Sequence, residues 1–157
     1  MKMSVNWKGL LEVIGILSVV GSLAFVALEI RQNTDAARSS TIQAVSEMSF
    51  NTMIPMIENA DLRGAWIAAR SNGLAQLTED QRLQLGWFVG AMLRAQLNRF
   101  NQVKLGLIDL EEALELGGKS GVYAGPVFAE IWPSLRGQYP DDFQAYIDNY
   151  VLPPSVQ

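Results

Sequence analysis

From Leu10 to Ile30 the chain reads LLEVIGILSVVGSLAFVALEI, an apolar run with one carboxylate near each end, Glu12 and Glu29. A helix of that length rises about 30 Å, which matches the hydrocarbon thickness of a bilayer. The uncharged stretch, 13–28, is shorter than the roughly 20 residues a span requires, so both glutamates belong at the interfaces or against protein or water. Trp7 and Lys8 stand where an interfacial aromatic and a snorkelling cation belong. The stretch therefore reads as a single membrane helix. A cleavable signal sequence, with Lys2 and Lys8 as its basic end and Ser22-Leu23-Ala24 as its cleavage site, is opposed by the apolar run continuing past that site. A buried core helix is opposed by apolarity on all faces.

Within this segment Gly15, Ser22 and Glu29 recur at a heptad period, with Ser18 and Phe25 interleaved. Small and polar residues thus share one face. Lipid supplies no hydrophobic drive between helices, so close approach at small side chains and hydrogen bonds between polar ones hold membrane helices together. Gly15, Ser18 and Ser22 are accordingly the expected oligomer seam. Continued as an unbroken helix, the same face carries Gln32, Ala36, Ser39, Gln43 and Ser46. Glu29, Gln32, Ser39 and Gln43 then form a candidate polar stripe, a pore lining if several copies surround an axis. The plainer alternative is that glycine and serine are common in membrane helices anyway and the later polar residues face solvent.

Beyond the anchor about 120 of the 157 residues remain, enough for one buried core. The net charge of −4, with no cluster of Lys or Arg, lacks the electrostatic footprint of a nucleic-acid binder. The chain holds neither cysteine nor histidine, which removes disulfides, thiol nucleophiles, His-based triads and the usual zinc and haem ligands. No cofactor or metal is expected. Carboxylates, Lys, Tyr, Ser and Thr remain as possible catalytic groups, but no pair stands at a spacing that chemistry requires. No catalytic residue is expected and the enzyme class is the least supported.

After Ile30, apolar Ile42, Val45, Met48 and Met53 keep near-helical spacing, which predicts a helix that extends the span until Pro55 kinks or ends it. Asp61 is a candidate N-cap for a short helix over 62–71, stopped by Asn72-Gly73. Thr78-Glu79-Asp80-Gln81 has the spacing of a capping box and predicts a long central helix to about Leu105. Its apolar positions are Leu85, Phe88, Val89, Met92, Leu93, Leu97 and Phe100, and its uncharged run is too short for a second span. Gly106 breaks it. Asp109 caps an acidic helix closed by Gly117-Gly118. That acidic stretch lacks the central glycine of a calcium loop. Gly118-Lys119-Ser120 lacks the earlier glycine, being Ala113, and the preceding strand of a phosphate loop. Two more helices follow Pro126, perturbed by Pro133, and Pro140, with Asp141 and Asp142 in the first turn.

The expected fold is all-α: an N-terminal tail over 1–9, a single transmembrane helix over 10–30, a small helical bundle over 31–152 and a C-terminal tail over 153–157. Lys2, Lys8 and the α-amine before the span nearly balance Arg31 and Arg38 after it, so charge alone does not orient the chain.

Four local patterns carry a resemblance. They are the tryptophan-led span ending in Glu29-Ile30-Arg31-Gln32-Asn33-Thr34, the helix start Leu77-Thr78-Glu79-Asp80-Gln81-Arg82-Leu83, Arg99-Phe100-Asn101 followed by Leu105-Gly106-Leu107-Ile108-Asp109, and the run from Tyr139-Pro140 to Ile147-Asp148. Together they resemble a widespread group of small uncharacterised bacterial proteins with one N-terminal membrane helix and a helical domain. The resemblance implies a bacterial inner membrane location, leans to a cytoplasmic domain and carries no catalytic residues. The expected role is that of a non-enzymatic, membrane-anchored helical protein that self-associates in lipid. The alternatives are a homo-oligomeric pore and an accessory subunit of a larger membrane complex. The last would use the acidic C-terminal part or Trp66, Trp87 and Trp132 as contacts, although those tryptophans are expected in the core.

Overall fold

A computed structural model describes residues 7–118 and 125–152. The residues 1–6, 119–124 and 153–157 lie outside it, and with them Lys2, Lys119, Ser120, most of the N-terminal tail and the C-terminal tail. The described residues are all-α and contain no strand. Contacts divide the chain into two compact units, Met1–Ser39 and Ser40–Gln157, so residues 31–39 of the expected helical domain fall with the apolar segment.

The first helix, α1 (Trp7–Glu58), is 52 residues long and contributes to both units. In the first unit every residue from Leu10 to Ile30 is exposed, including Leu11, Ile16, Leu17, Leu23, Phe25 and Leu28. This is the one helix among the described residues long and apolar enough to cross a membrane.

The second unit is built around α3 (Glu79–Lys104), against which pack α2 (Ala60–Asn72), α5 (Pro126–Leu135) and α6 (Asp141–Tyr146). Val45 of α1 is buried, and Met53 and Met56 lie against the core. α1 ends one turn after Pro55. Arg63 closes it by donating to the Met56 and Ile57 carbonyls, groups that a helix C-terminus leaves without intrahelical partners. The cap of α2 is Asn59, not the expected Asp61. The Asn59 side-chain oxygen accepts from the backbone N–H of both Asp61 and Leu62, which starts the helix at Ala60 and leaves Asp61 in its first turn. Gly73, at φ +78°, ends α2 as expected.

The capping box of α3 is present. Thr78 Oγ1 accepts from Gln81 N–H, while Gln81 Oε1 accepts from Thr78 N–H. One face of α3 then buries Leu85, Phe88, Val89, Met92 and Leu93, with Leu97 and Phe100 half-buried. Asp109 caps α4 (Leu110–Ala113) by accepting from Glu112 N–H, and a π-turn, Leu114–Gly118, follows. Asp148, in the π-turn Ile147–Val151 that follows α6, pins the end of α5, accepting from Trp132 Nε1 at 2.7 Å and from Arg136 at 2.8 and 3.0 Å. Trp66 and Trp132 are core residues. Trp87 corrects the expectation for all three tryptophans: it is 74% exposed.

Candidate functional site

Gly15, Ser18 and Ser22 lie exposed on α1, and a Cβ built at Gly15 would meet no other atom within 4 Å. The hydroxyl protons are committed within the helix: Ser18 Oγ donates to the Ile14 carbonyl and Ser22 Oγ to the Ser18 carbonyl, both at 2.8 Å. The hydroxyl proton of each serine is therefore satisfied within α1 itself. Each serine offers a neighbouring helix a small surface and an acceptor lone pair rather than a free donor. Glu29, Gln32 and Ser39 are exposed in the first unit and Gln43 is exposed in the second.

Inside the second unit, the buried face of α3 continues into two polar residues that the sequence reading did not place in the core, one of them, Arg99, quoted above only for a resemblance. Gln96 is fully buried and Arg99 is 2% exposed. Arg99 Nη2 donates to Ser49 Oγ at 2.5 Å, and Ser49 Oγ in turn donates to the Val45 carbonyl at 2.6 Å. Arg99 Nε and Nη1 are buried without a hydrogen-bond partner among the described residues, as is Gln96 Nε2. Gly117, at φ +135°, backs onto the guanidinium so closely that a Cβ there would stand 2.9 Å from Nη2. The helical spacing of 92, 96 and 99 was the signal that could have found this layer, since it carries the apolar face of α3 straight into it.

Charges removed from water without full pairing cost several kcal/mol. Arg99→Met should therefore leave the protein as stable as before or up to about 2 kcal/mol more stable in urea unfolding. Ser49 keeps its bond to Val45 in the variant, so no donor is stranded. A loss of stability instead would mean that the bond to Ser49 and the packing of the arginine stem outweigh the cost of burying its charge.

Trp87 stands between two surface grooves. One, of about 480 Å³, is lined by Gly86 and Gly90, by Leu135 and Tyr139, and by Arg82 and Arg94. The other, of about 410 Å³, includes Asn51, Pro55, Leu62 and Phe88. Burial raises the pKa of the Tyr139 phenol above its ordinary value, and the nearby Arg94 charge partly opposes that rise. On the outer surface the Asp142 carboxyl is held below its ordinary pKa, first by the hydrogen bond from Lys104 Nζ at 2.6 Å. Because that pKa is depressed, the pair's contribution is present above the unfolded carboxylate pKa and is lost as pH falls through the folded one.

Among the described residues no three His, Cys, Asp or Glu side chains gather as a metal site. The arrangement among the described residues offers helix faces and grooves for packing. Compared with known proteins, the chain matches no family model, no curated protein and no solved structure.

Proposed function

We propose that this is a non-enzymatic, single-pass membrane protein of the bacterial inner membrane, anchored by residues 10–30, whose copies associate through Gly15, Ser18 and Ser22 and serve as a scaffold for interactions of the helical domain. The observation that carries the reading is the bare surface of α1: from Leu10 to Ile30 no large apolar side chain is covered. Each such side chain left in water forfeits about 1.5–3 kcal/mol relative to burial, so over the whole segment lipid is the environment that accounts for it. The absence of histidine and cysteine from the sequence supports a role without catalysis. Flat, internally satisfied serines on one face support helix association by close packing.

Native mass spectrometry of protein extracted gently from its own membrane tests the association. A single homo-oligomeric mass is expected. Ser18→Leu and Ser22→Leu, which place bulk on the seam, should shift it toward monomer. An oligomer unchanged by both substitutions removes the seam from the reading. An accessory role in a larger complex is favoured by one further observation, the exposed Trp87 between its two grooves. A constant stoichiometry with a second protein in the same spectrum would establish it.

A further inference from the structure

The row Arg82, Gly86, Gly90, Arg94 follows one face of α3 at four-residue spacing. Neither glycine is explained by the fold itself. Both lie inside a helix, neither has a positive φ, and a Cβ built at either would meet nothing within 4 Å. Glycine inside a helix costs about 0.5–1 kcal/mol relative to alanine. Two such residues on one face, with no intramolecular close approach to require them, are suited to the backbone of something else.

The surroundings say what that something is. Trp87, 74% exposed, and Leu83, 61% exposed, line the groove from α3, and Leu135 and Tyr139 line it from the chain at and beyond the end of α5. Arg82 and Arg94 stand about 18 Å apart along the helix, both exposed, and form no ion pair among the described residues. The lining holds no carboxylate. We propose that this groove docks an apolar helix of another protein, packed on Gly86 and Gly90 and carrying a carboxylate toward each end to meet Arg82 and Arg94.

Two other occupants, the α3 of a second copy and a lipid surface, fit less well. A second copy of α3 laid into the groove antiparallel sets Arg82 against the partner copy's arginine at position 94, and laid parallel sets each arginine against its equivalent, so like charges meet in either arrangement. Lipid conforms to side chains of any size and gains nothing from glycine, whereas a packed helix gains from the close backbone approach that Gly86 and Gly90 allow. The proposal concerns the second unit alone and does not depend on the membrane reading.

The test uses the full chain in detergent micelles and two fluorescent Ala/Leu helical peptides. One carries glutamates about 18 Å apart; the other has lysines in their place. Fluorescence anisotropy should show the glutamate peptide binding about tenfold more tightly, a preference that 0.5 M salt and the Arg82→Ala/Arg94→Ala double variant both remove. Gly90→Leu should abolish binding of both peptides while leaving helix content and Tm unchanged or raised, because leucine is the better helix former. Equal binding of the two peptides, or binding that survives Gly90→Leu, overturns the proposal. So does a loss of homo-oligomer in Gly90→Leu, which would make the occupant a second copy. A loss of binding to anionic phospholipid vesicles in the double arginine variant would make it a lipid surface and overturn the proposal equally.

Discussion

Phe128→Ala is expected to lower the unfolding free energy by about 3–5 kcal/mol. Phe128 has no exposed surface, and its ring lies nearly parallel to that of Trp132, with centroids 6.4 Å apart and an interplanar angle of 6°. Trp132 in turn meets Phe143 edge-on at 6.5 Å and 88°. Truncation thus removes the transfer energy of a benzyl group and leaves a void lined by rings, which turn poorly into it because each is already held by another. Trp132 is further fixed by its bond to Asp148, so it cannot slide to fill the space. Urea unfolding of the full chain, followed by tryptophan fluorescence, should show a lower midpoint with an unchanged m-value. Domains of this size have a net stability of about 5–15 kcal/mol, so the variant would stand near the edge of folding. Phe128→Leu keeps most of the volume and should lose much less. A loss below about 1 kcal/mol for the alanine variant would mean that Phe128 does not pack in the core against its neighbours.

What the sequence made legible was local chemistry. The Thr78–Gln81 box, the Asp109 cap and the Gly73 stop each depend on a side chain meeting backbone groups within a few residues, so the residues alone specify them. Asn59 was missed because Asn59 and Asp61 are both good caps two residues apart. The choice between them depends on where α1 stops, which Arg63 helps to decide from the next helix. Trp87 was legible and misjudged. It stands two positions from Leu85, about 200° round the helix, and therefore opposite the face that buries Leu85, Val89 and Met92. Hydrophobicity argued for the core and periodicity for the surface, and the structure follows periodicity. The Arg99–Ser49 pair was not legible, because its members are fifty residues apart and no local rule links them. The glycines Gly86 and Gly90 were visible in sequence, but their meaning required knowing that nothing in the fold fills the space beside them.

Val20→Arg is expected to remove most of the protein from the membrane, and it is the sharpest test of the anchor. Val20 is 57% exposed and lies midway along the Leu10–Ile30 segment, so in a spanning helix its side chain would sit near the bilayer centre. Arginine there costs about 2.5–3.5 kcal/mol of insertion free energy, roughly a hundredfold in the partition between inserted and uninserted chain. The uncharged run 13–28 is already shorter than an ideal span, so little apolar surplus remains to absorb that cost. Alkaline extraction of membranes, with immunodetection of the pellet and supernatant, should find the wild type and Val20→Leu in the pellet and Val20→Arg largely released. Ser22→Arg, on the small-residue face, reads out the seam in the same assay. If that face is buried between copies, its arginine meets protein rather than lipid and also breaks the oligomer, whereas Val20→Arg acts on insertion alone. A Val20→Arg variant that stays in the pellet would mean that something other than lipid covers α1. The apolar face of α1 would then be a protein interface, and the domain would hold its place through contacts instead of an anchor.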